Sequence, residues 1–489
     1  MDGAVPTGVD SMGATSPPGT SVWLRWAGWI LLVLVVGSVV LRGAQHDQYT
    51  QDTQAVIDGV NRTIPCVREG VFSACRYHPE TQSSDINPYP LLQYLPAFAF
   101  RAMRMSEDAM RSALIWCNTF AVVATIVLVT LRARRAGGFA QGVLGAVAVG
   151  TGMLVTYAGH SFGEPLVVLA ITALCVQCLD ERRRWWTSFP AVLAVSFVGA
   201  VGKETMAVSS VLFAGACLLL ASVDRGERRR RGTAVAVGLA IGVAVNLLWN
   251  VFRFGGLRNV QYFRETRPGL GRAVVNSVSL IVAPNGGLLW FWFAAALALG
   301  ALVVVAVFPA GRAPQIRWAA AMTFAGFAGG WLSQGLWWGP FGWYSWGPRL
   351  LLPYVVPGIV VALELLRPTR KWVVVTLAGC AAVLMVPMLG NIWNREAWTS
   401  MQVATYADRP ACVGIRLDEG RPYEPYHDCL MEMAWRPTHM PLIDTITTMP
   451  DTERVWFWTT AVAAVATVAL WLRRCRTASG DTIERRSVA

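Results

Sequence analysis

Long apolar runs separated by short polar segments make up most of the sequence. Two of these runs read WILLVLVVGSVVL near the start and AVAAVATVALWL near the end. A helix needs roughly 20 residues to cross the hydrocarbon layer of a bilayer. Because the runs are continuous rather than alternating, they argue against membrane-spanning strands. The pattern therefore predicts an all-α polytopic membrane protein.

Clusters of basic residues occupy many of the polar segments between these runs. The clusters are Arg132/Arg134/Arg135, Arg182/Arg183/Arg184, Arg225/Arg228/Arg229/Arg230/Arg231, Arg312/Arg317, Arg367/Arg370/Lys371 and Arg473/Arg474/Arg476. Under the positive-inside rule they face the cytoplasm, and two spans must separate each successive pair. About 12 transmembrane helices then fit, with both termini cytoplasmic. The fifth is expected to be short or re-entrant, because little chain separates its two flanking clusters.

This topology divides the chain into three parts. Residues 1–20 are rich in Gly, Pro and Ser and are predicted to be a disordered cytoplasmic N-terminus. Residues 21–473 form the transmembrane domain, with a first outer loop at 44–106 and a last outer loop at 390–453. Residues 474–489 form a cytoplasmic tail. The spans are expected to begin near residues 24, 112, 138, 163, 188, 205, 233, 287, 318, 350, 372 and 454.

Composition supports a membrane setting and argues against nucleic acid as a partner. Only 15% of residues are charged, whereas a soluble chain normally carries about 25%. The net charge of +12 arises from short arginine clusters between apolar runs, which set topology rather than bind nucleic acid. The abundance of Ala, Val, Gly and Arg suggests a bacterium with a high-GC genome. We therefore predict a multi-pass protein of the bacterial plasma membrane.

The cysteines of the two long outer loops form two natural pairs. Cys66 and Cys75 share the first loop, and Cys412 and Cys429 share the last. An oxidising compartment outside the membrane would permit one disulfide in each loop, and four free thiols are the alternative.

Acidic residues follow directly after the first apolar run, in the segment AQHDQYTQDTQAVIDG. The stretch from Asp47 to Gly59 is predicted to form an amphipathic helix at the membrane interface, with Tyr49 as a surface anchor. The acids, Asp47, Asp52 and Asp58, either belong to a reaction centre or only solvate this helix.

Three further outer segments carry residues capable of chemistry. Glu164 precedes Pro165 and fits a helix N-terminus, where the dipole favours a carboxylate, with His160 close before it. Lys203 and Glu204 lie between two apolar runs, where charges are costly unless they face a polar cavity or an interface. Arg349 starts a helix, where its charge opposes the dipole. An anionic ligand, most simply a phosphate, would explain an arginine there.

The quoted segments, taken in order, resemble the GT-C class of integral membrane glycosyltransferases. In that class a short run with an Asp and a Tyr precedes an amphipathic helix and then a Tyr-Pro-Pro-Leu-like segment. Here these elements read DQYTQDTQAVIDG and PYPLL, the latter a slight departure. GKET, APNGGLLWFW and YSWGPRLLLPYVVP also resemble bacterial members.

The resemblance implies transfer of a sugar from a polyprenyl-phosphate donor, with inversion at the anomeric carbon. Asp47 would be the general base, with Asp52 as the alternative. Lys203, Arg258 and Arg349 would bind the donor phosphate. The substrate-binding residues would be Tyr49, His160, Glu164, Glu204 and Tyr344. The acceptor would be a cell-envelope glycan or glycolipid on the outer face, and arabinofuranose and mannose are the first sugars to test.

No nucleotide or redox cofactor is predicted, because the sequence contains no P-loop, Rossmann fingerprint, HExxH or GxSxG motif. No metal site of the His/Cys type is predicted either, although outer carboxylates could hold a divalent cation. The rival hypothesis is a transporter or flippase of a lipid-linked or anionic substrate, which would place ionisable residues within the spans. A third hypothesis is a non-catalytic scaffold for envelope assembly.

Overall fold

The chain folds into an array of helices in the part that the structure describes. The computed structural model describes residues 22–44, 51–71, 76, 90–161, 163–180, 184–202, 206–223, 225–258, 269–308, 313–337, 339–341, 348–366, 423–436 and 458. No β-strand occurs among these residues, so the predicted all-α class is confirmed for them. The N-terminal segment 1–20, the tail 474–489 and the spans predicted from residues 372 and 454 lie outside them.

The helices of the described part are given in chain order. They are α1 (Val22–Ala44), α2 (Gln51–Glu69), α3 (Leu91–Ala102), α4 (Glu107–Gly137), α5 (Phe139–Gly150), α6 (Glu164–Leu179), α7 (Phe189–Val201), α8 (Met206–Val223), α9 (Glu227–Phe254), α10 (Leu270–Val282), α11 (Leu288–Phe291), α12 (Phe293–Val307), α13 (Pro314–Gly335), α14 (Leu352–Leu366) and α15 (Tyr423–Trp435). Short 3₁₀ turns (Met153–Gly159, Trp185–Thr187 and Arg349–Leu351) precede α6, α7 and α14.

Two of the described helices, α4 and α9, are long and apolar enough to cross a membrane. The bent pair formed by α5 and the 3₁₀ turn Met153–Gly159 would make a third if it is one broken span. Six further stretches, in α1, α6, α7, α8, α10 and α12, are apolar but shorter. The total of 12 spans stays a prediction.

The stretch where a span was predicted from residue 138 consists of two helical parts with a bend between them. Its two parts meet at an angle of 59°, where the chain passes through Gly150, Thr151 and Gly152. A Cβ on Gly150 would lie 2.0 Å from Val35, and one on Gly152 would lie 2.1 Å from Trp292. The glycines therefore permit close packing of α1 and Trp292 against the break. The fifth predicted span is short, as expected, because α7 has only 13 residues.

The interfacial helix of the first outer loop extends beyond its predicted end at Gly59, because α2 continues to Glu69. Asp58 does more than solvate the helix, because it is half-buried and accepts a hydrogen bond from Gln54 Nε2 at 2.8 Å. Gln54 in turn accepts one from Arg111 of α4 at 2.5 Å. Asp58 therefore belongs to a polar network that fixes α2 on α4.

Helices α10 and α15 form a polar contact that the sequence did not predict. The His427 ring nitrogen Nε2 lies 2.5 Å from Asn276 Oδ1. Arg272 donates two 3.1 Å hydrogen bonds to the carboxylate of Asp428. Asn285 donates its backbone N–H to the Ala434 carbonyl at 3.0 Å. These bonds dock α15, which lies in the predicted last outer loop, on the helical array.

The ends of the helices that carry the predicted cytoplasmic clusters meet at one end of the array. Arg132, near the end of α4, lies 2.7 Å from Glu364, near the end of α14. Arg231, near the start of α9, donates to the carbonyls of Gln177 and Asp180, at the end of α6. The start of α6 therefore lies at the opposite end, which we call the Glu164 end.

Candidate active site

A buried ion pair joins the starts of α6 and of the helical segment that leads into α14. Arg349 Nε lies 3.5 Å from Glu164 Oε1, and the two side chains are 7% and 1% exposed. Gly163 caps α6 without a side-chain hydrogen bond, and Pro165 follows Glu164 in the first turn, so the carboxylate interacts favourably with the helix dipole. Both residues begin helical segments, as the sequence predicted. The carboxylate also offsets the unfavourable position of the guanidinium.

His160 lies directly before α6, on a segment that α4 holds in place. The 3₁₀ turn ends at Gly159, and His160 has extended backbone and a buried side chain. Asn118 donates to the His160 carbonyl at 2.6 Å, and Thr119 donates to the Ala158 carbonyl at 2.8 Å. Hydrogen bonds from α4 therefore fix the backbone that carries His160.

Arg42, at the end of α1, is a buried basic residue of this region that sequence reasoning missed. Its side chain is only 2% exposed. A Cβ on Gly159 would lie 2.8 Å from the Arg42 carbonyl oxygen and 3.5 Å from Nε, so the absence of a side chain at Gly159 lets α1 approach the His160 segment. The positive-inside rule disfavours an arginine at the end of the first apolar run that is predicted to face outward, and that was the available signal.

Gln93 of α3 is a second residue that the sequence analysis did not select. A Cβ on Gly163 would lie 3.1 Å from Gln93 Cγ, which places this side chain against the start of α6. It is 7% exposed, and its Oε1 atom has no hydrogen-bond partner among the described residues. A buried amide oxygen without a partner costs free energy unless a ligand or water satisfies it. The glutamine inside the apolar segment PLLQYLPAF was the signal.

Two described contacts flank the segment that contains Asp47 and Tyr49. Thr53, in the first turn of α2, shares a 2.6 Å hydrogen bond with Ser161, and Arg42 lies against Gly159. Asp47 and Tyr49 themselves lie outside the described residues. The chain on either side of them is therefore attached to the stretch that runs from Gly159 to Ser161, directly before Glu164.

The remaining predicted site residues are placed differently. Arg258 is exposed in the bend after α9, so it is not part of the buried cluster around Glu164. Asp52 lies in the first turn of α2. Lys203, Glu204 and Tyr344 lie outside the described residues, although the Gly202 carbonyl lies 3.6 Å from a Cβ position on Gly163.

Cys66 and Cys429 are both disulfide-bonded. Their predicted partners, Cys75 and Cys412, lie outside the described residues, so the pairing stays a prediction. No group of three or more His, Cys, Asp or Glu side chains suited to a metal ion occurs within the described ranges.

An apolar groove of about 750 Å³ lies between α2, α3 and α9. Its lining residues are Thr63, Ile64, Val67, Arg68, Leu91, Phe98, Val245, Leu248, Trp249 and Phe252. Several of them, such as Val67 and Leu248, are also exposed on the outer surface. Because Leu91 and Phe98 lie on the face of α3 opposite Gln93, one helix separates this groove from the Glu164 cluster.

Three charged side chains are buried in this region of the described structure. Two buried guanidiniums, those of Arg42 and Arg349, accompany one carboxylate, that of Glu164. Buried charges are costly unless they are balanced, and Glu164 balances Arg349 at 3.5 Å.

Comparison with known proteins gives one structural similarity. No family model matches the chain. The search of curated proteins also finds no match. A crystal structure of ArnT from Cupriavidus metallidurans bound to undecaprenyl phosphate is similar to this chain over 88% of its length and 79% of that chain, at 13% identity and a TM-score of 0.43.

Proposed function

We propose that this protein is an integral membrane glycosyltransferase that moves a sugar from a polyprenyl-phosphate donor to a glycan or glycolipid of the cell envelope. The observation that carries the proposal is the buried contact between Glu164 and Arg349, with Arg42, His160 and Gln93 around the same helix start. Glu164 and Arg349 are 185 positions apart, and the sequence selected them for sugar and phosphate binding. In the structure they are in contact.

Arg349 serves the donor phosphate in this proposal. When the bond between the anomeric carbon and the phosphate oxygen breaks, the phosphodiester becomes a phosphate monoester and gains negative charge. Fixed positive charge at that position stabilises the transition state more than the ground state. An arginine has five N–H donors, more than one carboxylate contact requires, so Glu164 can orient the guanidinium while it binds phosphate.

Asp47 is the proposed general base, with Asp52 as the alternative. The acceptor hydroxyl oxygen attacks the anomeric carbon with inversion, and its proton passes to the carboxylate. Asp47 lies three positions after Ala44, the end of α1, and three extended residues span at most about 11 Å. The contacts of Arg42 and Thr53 with the His160 segment therefore support a position for the base near the Glu164 cluster.

The groove between α2, α3 and α9 fits a donor that arrives within the membrane. Its lining is almost wholly apolar, with Arg68 as its charged residue, and it lies on the other side of α3 from Gln93. A polyprenyl chain in this groove would lie one helix away from the Glu164 cluster, so its phosphate would have to pass the end of α3 to reach Arg349. Arabinofuranose and mannose are the first sugars to test. The active site would face the outside of the plasma membrane, with both termini cytoplasmic.

The test uses the full chain in nanodiscs with a panel of radiolabelled polyprenyl-phosphate sugars and a cell-envelope acceptor fraction. We expect transfer of label from one donor by the wild-type protein, and loss of that transfer in Asp47→Asn with donor binding retained. Normal turnover by Asp47→Asn together with loss in Asp52→Asn would assign the base to Asp52. Movement of intact lipid-linked sugar between leaflets of proteoliposomes, without transfer, would favour the transporter or flippase hypothesis instead.

A further inference from the structure

A cavity at the opposite end of the helical array presents two arginines that the proposed reaction does not use. It has a volume of about 500 Å³ and is lined by Phe189, Gly226, Arg229, Arg230 and Thr233. It lies where α9 begins and α7 begins, at the end where Arg231 contacts the last residues of α6. The cavity is therefore distant from Glu164, which starts α6.

The four consecutive arginines of α9 fall into two kinds. Arg228 donates to Gln315 at 3.2 Å. Arg231 is buried, donates to the Asp180 carbonyl and contacts Glu227 at 3.4 Å. The side chains of Arg229 and Arg230 are exposed, and neither forms a hydrogen bond or ion pair with a described residue. Two of the four charges are thus used within the protein, and two face the cavity.

The geometry of α9 adds to the attraction for an anion. The helix begins after Gly226, which has φ of +79° and gives no side-chain cap, so the positive end of the dipole points toward the cavity. Gly226, Arg229, Arg230 and Thr233 share one face of the helix. Two guanidiniums on the first turns of a helix can hold a phosphate through charge-assisted hydrogen bonds.

The surroundings indicate that the phosphate is carried by a lipid. Val237 and Ile241 continue the stripe of Thr233 along α9 at intervals of four residues, and they are 38% and 45% exposed. Acyl chains could lie along this stripe. Trp185, directly before α7, is 85% exposed, and exposed tryptophans are enriched at membrane–water interfaces.

We propose that this cavity binds the phosphodiester headgroup of an anionic phospholipid, with Arg229 and Arg230 as its ligands and the acyl chains along Val237 and Ile241. Basic pockets between helices at the cytoplasmic face are suited to such headgroups. The proposal stands independently of the glycosyltransferase reaction, because it uses none of the residues around Glu164.

Native mass spectrometry of the full chain in detergent tests the site. The protein is titrated with phosphatidylglycerol, with phosphatidylcholine and with inorganic phosphate. We expect one phosphatidylglycerol to be retained selectively by the wild type. Retention should weaken about fivefold in Arg229→Gln or Arg230→Gln and roughly 25-fold in the double variant. Each basic residue near an anionic lipid contributes about a fivefold factor in affinity.

The matched control is the double variant Arg134→Gln/Arg135→Gln. It removes the same charge from exposed residues at the end of α4, where the helix dipole gives no anion site. It should retain the selective phosphatidylglycerol. Arg229→Lys/Arg230→Lys keeps the charges and should retain most of the binding, and size-exclusion profiles check folding.

Equal loss in both double Gln variants would overturn the site and indicate a general charge effect. Undiminished retention in Arg229→Gln/Arg230→Gln would overturn it as well. If inorganic phosphate displaced phosphatidylglycerol at comparable concentration, the lipid would not be the ligand and the commitment to a headgroup would be wrong. Retention of phosphatidylcholine equal to that of phosphatidylglycerol would exclude the role of the two charges.

Discussion

Two pairs of carboxylate and arginine lie at the two ends of α14, and they differ in closeness and surroundings. Glu364 and Arg132 are 2.7 Å apart, within the range of a charge-assisted hydrogen bond. Glu164 and Arg349 are 3.5 Å apart, which is longer than such a bond. The first pair connects α4 with α14 beside packed apolar residues, whereas the second has Arg42, His160 and Gln93 around it.

The difference separates a structural contact from a candidate site. In a close pair the two opposite charges compensate each other, and the contact fixes two helices. A more widely spaced pair with a buried, unsatisfied amide oxygen beside it is suited to bind something further. The sequence selected Glu164 and Arg349 singly as site residues, but it predicted neither of the two contacts between an acid and an arginine.

Loss of one arginine should give the largest contrast between the two pairs. We expect Arg349→Met to lower sugar transfer per folded molecule by about 10²–10³-fold, the usual cost of one transition-state electrostatic contact. Arg132→Met should leave transfer per folded molecule within about twofold of wild type. Initial rates normalised to the monodisperse protein peak measure this. Equal losses in the two variants would remove the functional distinction between the pairs.

Removal of both partners sharpens the same contrast. Each single variant strands a buried charge, which typically costs about 3–5 kcal/mol, so stability alone does not distinguish the pairs. Replacement of both members by apolar residues often restores stability. Arg132→Met/Glu364→Leu should therefore recover thermal stability and keep transfer per folded molecule near the wild-type level.

Glu164→Leu/Arg349→Met should recover thermal stability but not transfer. Thermal unfolding in detergent and the transfer assay are measured on the same preparations. Recovery of transfer in this double variant would show that the pair at the Glu164 end only holds α6 and α14 together.

The sequence predicted the helical class and the helix starts at Glu164 and Arg349 because these follow from local signals, namely apolar runs, Pro165 and the dipole. It did not predict that Glu164 would contact Arg349, because residues 185 positions apart come together only through packing. Arg42 and Gln93 were missed for the same reason, since each lies singly within an apolar stretch. The break at Gly150 and the docking of α15 on α10 also depend on tertiary contacts that no local pattern contains.

Two buried glutamines extend the comparison to uncharged residues. Gln141 donates to the Leu363 carbonyl next to Glu364, whereas Gln93 Oε1 has no described partner next to Glu164. Gln141→Met should lower the free energy of unfolding by about 1 kcal/mol and leave transfer unchanged. Gln93→Met should leave stability unchanged or raised and lower kcat/KM for transfer about tenfold, because a buried group that hydrogen-bonds substrate is lost. Destabilisation by Gln93→Met with normal kcat/KM would make it a packing residue.

The smallest effect is expected from an exposed ion pair, which sets the lower limit of the series. Hydrogen bonding from Arg272 holds the pKa of Asp428 below its usual range. A carboxyl whose pKa is lower in the folded state stabilises above its unfolded pKa, near 3.9, and this contribution is lost as pH falls through the folded value. Because Asp428 is largely exposed, the contribution should be below about 1 kcal/mol.

Thermal unfolding between pH 6 and pH 3 should therefore show a slightly smaller acid destabilisation in Arg272→Gln than in the wild type, and added salt should reduce the difference further. An effect as large as that of Arg132→Met would mean that α15 docking, rather than burial of charge, determines the cost of breaking an ion pair in this protein.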